Sequence, residues 1–316
     1  MVMVTVANHV ELEQLNQLSA ALFHNLTFRS YQYVLYQLRA DGTTVGIGAL
    51  VDGKAAGLVL GEAIDGKGTI LSIAVDKAHR NQGIGARLLL AMEKELAARG
   101  ASTITLTYVT EKPTTPALVR LLEKCEWPTP EPKHLVCTSD KRMHDSPWMS
   151  GYTLPPEFEV FPWVDLTAEE RAALQRSQET DGWIPTGLSP FDYEGTLEPA
   201  NSLGIRYKGE VVGWLITQPR EPDSVCYSCS YMRPDLQKRA RLVAVYAEGV
   251  RRQVAFTTKP YGIWIVPFKH KQMANFVLRR MRPWLISLAE FHESKKPIAR
   301  EVATATADGI NERLAS

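Results

Sequence analysis

The stretch RNQGIGARLL, Arg80–Leu89, places Gly83 and Gly85 one residue apart where a helix is about to begin. Glycine is costly inside a helix and favourable only where backbone bends sharply or another group comes close. A β-branched run, ILSIAV, leads into the turn ahead of them. Strand, glycine turn and helix together present free amide N–H groups and the positive end of the helix dipole to an anion. Lys77, His79, Arg80 and Arg87 crowd the same stretch and could meet further phosphate charge. The chemistry this pattern can do is to hold a phosphate or pyrophosphate; the plainer alternative is a tight turn with solvated basic neighbours. A dinucleotide fingerprint would need a third glycine at Leu88, and a nucleoside-triphosphate loop would need Gly-Lys-Ser/Thr. Neither is present.

Other chemistries find little support. Four cysteines in 316 residues make no disulfide framework. Cys226 and Cys229 form a C-x-x-C inside a strand-like run, where positions three apart point to opposite faces. Without a second pair or a histidine partner they read as buried, reduced thiols, so no metal is expected. No Ser/His/Asp or Cys/His constellation stands out. A formal net charge of +1 gives no reason to expect nucleic acid or an anionic membrane as partner. No run reaches the about 18 apolar residues of a membrane span. The first residues carry no basic segment ahead of an apolar one, so a cytoplasmic address is expected.

The elements that must position the glycine turn occur twice. LVDGKAAGLVL (Leu50–Leu60) is a hairpin around Asp52-Gly53, and RYKGEVVGWLI (Arg206–Ile216) repeats it 156 residues later. Thr69–Leu89, a strand, polar turn and helix, returns as Val225–Val245, with Arg80–Gly85 matched to Gln237–Leu242 at an offset of 157. Pro116–Trp127 and Gln272–Pro283 are amphipathic helices, again 156 apart. Each copy therefore reads as a helical start, a hairpin, a third strand, the turn, a helix, a strand and a helix. HVELEQLNQLSAALFHN supplies the opening helix of the first copy. The predicted class is α/β, each copy a mixed, mostly antiparallel sheet flanked by helices. The expected boundaries are 1–140 for the first domain, 141–157 for a linker, 158–293 for the second domain and 294–316 for a tail, helical or frayed.

Arg80-Asn81-Gln82-Gly83-Ile84-Gly85 follows the pattern Gln/Arg-x-x-Gly-x-Gly/Ala and stands directly after a β-branched strand. It resembles the pyrophosphate loop of the GNAT acetyltransferase superfamily, and the resemblance runs from about Gly46 to Trp127. The second half is similar in outline, so the chain looks like a tandem GNAT protein. The resemblance implies acyl-CoA, most simply acetyl-CoA, as co-substrate, with no metal. It implies that amides of Gln82, Gly83, Gly85 and Ala86 hold the pyrophosphate, with Arg80, Asn81 and Ile84 alongside. It implies that Ile73, Ala74 and Val75 pair with the pantetheine, and that a bulge splays this strand from the next. An amine acceptor, small molecule or peptide, would attack the thioester directly.

The chain departs from that family's pattern at the third helix. Thr115 falls where an asparagine belongs, and Leu122 where a tyrosine commonly protonates the leaving thiolate. Glu62, Tyr108 and Glu111 are the candidate substitutes for acid and base chemistry. In the second copy Ala240 stands for Gly83 and Leu242 for Gly85, so that copy is expected to keep the fold and lose the cofactor. It could cover the first cleft, bind the acceptor or form a homodimer surface. Aromatic segments Leu22–Leu38 and Asp181–Gly195 are candidate acceptor walls. The competing readings are a non-catalytic acyl-CoA-binding module, kept open by Leu122, and a transferase using a tRNA- or carrier-protein-linked donor.

Overall fold

The computed structural model describes residues 9–39, 42–180, 182–237 and 240–298. Among these the chain forms two compact units: one runs to Glu131 and resumes at His292, and the other is Pro132–Phe291. Both contain a mixed sheet flanked by helices, in agreement with the predicted class.

In the first unit the elements are β1 (Val10–Gln14), α1 (Gln32–Leu35), β2 (Thr44–Val51), β3 (Lys54–Ile64), β4 (Lys67–Val75), α2 (Ile84–Ala98), β5 (Thr103–Val109) and α3 (Thr115–Lys124). The five strands lie in chain order, antiparallel except for the parallel pair β4–β5. Asp52 and Gly53, at φ +50° and +75°, close the β2–β3 hairpin as a two-residue turn whose twist suits the strands. Ile84, Leu88, Leu89, Met92 and Leu96 of α2 are buried against Ile47, Val59, Ile70, Ile104 and Leu106 on one face. Each such side chain contributes about 1.5–3 kcal/mol on full burial. The other face is covered by Phe23, Val34, Leu35 and Leu38, packed on Leu58 and Leu60.

The expected opening helix is not formed. Val10–Gln14 is a strand paired antiparallel with β2, and Ser19–Leu26 is a 3-10 helix. Val10 and Leu12 alternate in period two and pack on the α2-side core, so the vacant edge of β2 selects the extended form.

The segment beginning at His292 completes this unit. Ile298 N donates to Ser102 O at 2.9 Å, Thr107 Oγ1 to Glu293 Oε2 at 3.4 Å, and the Tyr108 and His292 rings meet with centroids 6.0 Å apart. These partners advance in opposite chain directions, so the segment runs antiparallel to β5. Lys296 Nζ donates to Glu93 Oε2 at 2.8 Å and to Cys125 O at 2.7 Å, while Ser294 Oγ donates to Pro128 O at 2.7 Å. Glu93 also accepts from Trp127 Nε1 at 2.7 Å. Glu293–Pro297 is thus strand, where a helical or frayed tail was expected; residues 299–316 lie outside the described residues.

The second unit contains β6 (Glu131–Ser139), α4 (Pro147–Ser150), β7 (Phe158–Pro162), α5 (Ala168–Thr180), β8 (Leu203–Tyr207), β9 (Glu210–Pro219), β10 (Ser224–Met232), α6 (Arg241–Phe256), β11 (Tyr261–Pro267) and α7 (Lys271–Phe276); β12 (Leu285–Pro297) begins in this unit and passes into the first at His292. Its sheet order is β6-β11-β10-β9-β8-β7. The last strand of the first copy, β6, pairs antiparallel with β11 of the second. The segment 141–157, expected as a linker, carries Met143, Trp148 and Met149 buried in this unit's core.

Cys226 and Cys229 share a face, contrary to the sequence reading. A bulge between Tyr227 and Cys229 inserts Ser228 and resets the alternation, so Cys226 opposes Gln218 and Cys229 opposes Ile216. Both thiols are free and buried, and burial pushes Cys229 up to about 11.

Candidate functional site

The pairing of β4 with β5 stops early. Parallel partners run only from Lys67–Thr103 to Ile70–Leu106, although both strands continue. The cause lies on the other side of β4. Leu60 opposes Ser72 and Gly61 opposes Ile70, which leaves Leu71 as an inserted residue. A bulge bends the strand that carries it, and here it opens a gap between β4 and β5 beyond Ile70. This is the splay that the resemblance implied.

Backbone direction along the gap follows from one hydrogen bond. Asp76 N donates to Ala56 O at 2.8 Å, so by alternation the N–H groups of Ala74 and Ser72 also face β3. Those of Ile73 and Val75 face the gap. Of the three residues expected to offer backbone there, Ile73 and Val75 do so and Ala74 turns its amide away. Val75 O already accepts from Arg80 Nε at 3.1 Å.

The glycine turn closes the open end of β4. Lys77–His79 forms a 3-10 turn, with Asp76 Oδ1 accepting from Ala78 N at 2.9 Å. Asn81 and Gly83 are left-handed, at φ +61° and +79°, and α2 begins at Ile84. Glycine is the residue that adopts that φ at least cost. Gly85 is different: a Cβ built there would meet only Leu121 at 3.5 Å and Val75 at 3.7 Å, ordinary contacts. Neither backbone nor packing requires glycine at 85, and the bare backbone leaves room beside the first turn of α2 for a ligand. Gln82 Nε2 donates to Ala78 O at 3.3 Å and Arg87 Nη2 to Val10 O at 3.0 Å. Arg87 is thus engaged with the β1 backbone.

The catalytic candidates fall in three places. Glu62 opposes Thr69, which in turn pairs with Thr105, so it stands in the last rows before the gap opens. By alternation it shares the face of Leu58 and Leu60, under the 19–38 segment. Tyr108 lies on β5 beyond the last parallel pair and packs on the opposite, α2-side face. Burial raises its phenol above the usual tyrosine value. Glu111, left-handed at φ +60°, lines an open depression of about 630 Å³ with Lys112, Pro113, Thr115, Pro116 and Val119. Thr115 Oγ1 donates to Val109 O and accepts from Lys112 N, both at 3.2 Å, which closes the β5–α3 loop. Leu122 is 1% exposed and belongs to the core.

Sequence reading missed the polar pair at the bulge. Ser72, 5% exposed, accepts from Thr27 Oγ1 at 3.0 Å and ties the 19–38 segment to β4. A serine interrupting TILSIAV was the available signal. In that segment Leu22, Phe28, Tyr33 and Tyr36 are exposed, while Phe23, Val34, Leu35 and Leu38 are core. The corresponding Trp183, Phe191 and Tyr193 of the second unit cluster with Trp163 and Trp214 instead.

The second copy repeats the early end of the parallel pairing. Parallel pairing of β10 with β11 ends at Cys226–Ile263, and Ser228 is the bulged residue, 157 positions after Leu71. Ala240 holds the left-handed position at φ +54°. Leu242, in place of Gly85, packs on the core. Tyr227 stacks on Trp264 at 4.5 Å, and the Tyr246 hydroxyl and Ser230 Oγ lie 2.6 Å apart, Ser230 standing where the first copy has Ile73. Lys238 and Arg239 of this loop, and Asp181, lie outside the described residues.

Among the described residues no group of three or more His, Cys, Asp or Glu could hold a metal ion, and no helix is long and apolar enough to cross a membrane.

Residues 12–127 match the family model described as "Acetyltransferase (GNAT) family". No curated protein matches the chain. Among solved structures, the tandem GNAT protein from the clavulanic acid biosynthesis pathway aligns over 92% of this chain and 98% of its own, with a TM-score of 0.56 and 10% identity. A GCN5-related N-acetyltransferase from Sphaerobacter thermophilus aligns over 91% and 95%, with a TM-score of 0.58 and 16% identity. The glucosamine N-acetyltransferase region of a fungal multi-domain β-N-acetylglucosaminidase gives 0.61 at 13% identity, over 92% of this chain and 38% of that one. These likenesses establish the tandem GNAT fold over both units.

Proposed function

We propose that this tandem GNAT protein, whose residues 12–127 carry the family's acetyltransferase domain, is an acyl-CoA-dependent N-acyltransferase with its donor site in the first unit. The observation that carries the reading is the bulge-opened gap between β4 and β5, aligned with a left-handed Gly83 turn and an unobstructed Gly85. The residues fit the expected co-substrate. Amides of Gly83, Gly85 and Ala86 at the start of α2 would hold the pyrophosphate, and Ile73 and Val75 would pair with the pantetheine amides. Acyl-CoA supplies an acyl group already activated as a thioester.

The remaining work belongs to side chains on either face of the gap. Glu62, directly or through water, takes a proton from the acceptor ammonium, so that the neutral nitrogen attacks the carbonyl carbon. The carbon–sulfur bond breaks, Tyr108 gives its phenolic proton to the departing sulfur, and the proton lost by the acylated nitrogen restores the phenol by way of water. A tyrosine already holds its phenolic proton at neutral pH, and burial raises its pKa further. The acceptor is an amine, on a small molecule or a peptide, brought in along the exposed Phe28, Tyr33 and Tyr36. The second unit contributes no donor site, because Leu242 puts a branched side chain in the first turn of α6 where the first copy has Gly85.

The burial of Leu122 in the core, at the position where the family places its tyrosine, favours a second reading: a module that binds acyl-CoA without transferring the acyl group. Release of free thiol from acetyl-CoA, followed across a panel of amines, separates the two. Amine-dependent release supports the transferase; tight binding with no release under any amine refutes it.

A further inference from the structure

We propose that His292 is a positioning residue for Tyr108, carried into the first unit from the far end of the chain. The inference rests on the reading of Tyr108 as proton donor. Tyr108 stands on β5 two residues beyond the last parallel pair with β4, where no neighbouring strand on that side holds its ring. On the other side His292 lies opposite it, with ring centroids 6.0 Å apart and planes inclined at 53°. Directly opposed residues of antiparallel strands present their side chains to one face, which makes such a pair a means of fixing a ring's orientation. The strand carrying His292 is itself anchored at Ser294, Lys296 and Ile298 by bonds of 2.7 to 2.9 Å to Pro128, Glu93, Cys125 and Ser102. The strand that carries the histidine ring is therefore held in place, and the ring stands beside Tyr108 as a wall.

A phenol that must reach a sulfur at one point in the gap gains from such a wall, because small misplacements of a reacting group are costly in rate. The site would then depend on both copies: the first supplies the loop and Tyr108, and the second copy's last strand supplies the residue that aims it.

The test compares Tyr108→Phe, His292→Ala, His292→Phe and the double variant Tyr108→Phe/His292→Ala, using thiol release from acetyl-CoA with the best amine of the panel. His292→Ala is expected to lower kcat about tenfold with KM for acetyl-CoA unchanged, and His292→Phe, which keeps a ring there, to stay within about twofold of the parent. In the Tyr108→Phe background His292→Ala is expected to cost nothing more. A readout independent of turnover is nitration of Tyr108 by tetranitromethane, read by peptide mass, which should accelerate in His292→Ala and not in His292→Phe. Additive losses in the double variant, or equal impairment by alanine and phenylalanine, would overturn the positioning role. A parent-like rate for Tyr108→Phe would refute the proton-donor reading itself, and the inference with it.

Discussion

Gly85→Leu installs in the first copy the residue that the second copy carries as Leu242. The structure argues that the fold will accept it. A Cβ at 85 meets only Leu121 and Val75 at 3.5 and 3.7 Å, and the residue lies within α2, where losing a glycine gains roughly 0.5–1 kcal/mol of helix stability. The branched side chain would fill the space beside the first turn of α2 and keep a pyrophosphate from the amides. Charge-assisted hydrogen bonds contribute about 1.5–3 kcal/mol each. Losing two costs about 3–6 kcal/mol, and at about 1.4 kcal/mol per decade acetyl-CoA affinity should fall by roughly 10²–10⁴. Calorimetric titration with acetyl-CoA gives the affinity, and thermal denaturation without ligand checks the fold; Gly85→Ala should fall between parent and Gly85→Leu. If Gly85→Leu keeps both the parent's melting temperature and its affinity, the assignment of the loop to the pyrophosphate is refuted.

Further outcomes follow from the same geometry. Glu62→Gln should slow amine-dependent thiol release about tenfold or more without weakening acetyl-CoA binding; an unchanged rate would remove Glu62 from the reaction. Lys296→Ala leaves the Glu93 carboxylate, 9% exposed, without its cation, and should destabilise the first unit by roughly 3 kcal/mol in denaturant titrations. An unaltered midpoint would contradict that. Burial pushes the Cys137 thiol and the Tyr246 phenol each up to about 12 and the Cys229 thiol up to about 11, above their ordinary values of about 8.5 and 10. The folded state thus keeps protons that the unfolded chain releases. Stability from these groups is complete below about pH 8.5 and declines as pH rises toward 12. Unfolding midpoints measured from pH 8 to 11 should fall steadily, and Cys137 and Cys229 should resist thiol reagents at pH 8 until the protein unfolds.

Much of the first unit was legible because its signals are local. The Asp52-Gly53 hairpin, the β-branched β4 and the glycine turn each announce themselves within a dozen residues. The repeat carried the same reading to the second copy. What stayed hidden depends on partners far along the chain. Val10–Gln14 reads as part of a helix until the free edge of β2 is known. The strand exchange that brings Glu131–Ser139 to β11 and His292 to β5 joins segments more than a hundred residues apart, so the expected boundaries at 140 and 293 missed it. The C-x-x-C faces were misjudged because the bulge at Ser228 is a product of pairing, invisible in alternation. At the site, the loop followed from sequence pattern and the gap from what the family resemblance implied, whereas Ser72, Thr27 and His292 emerged only from contacts. Of the glycines of Arg80–Leu89, Gly83 suits the left-handed backbone, and Gly85, which neither backbone nor packing requires, is the one the proposed donor site depends on.

The proposed donor site requires the two copies to differ, the first keeping a site for acyl-CoA and the second having lost its own. The stoichiometry of acetyl-CoA binding, measured by calorimetry on the full chain, tests it most directly. One molecule per chain, abolished by Gly85→Leu, is the predicted result. Two molecules per chain, or one that survives Gly85→Leu with unchanged affinity, would contradict it.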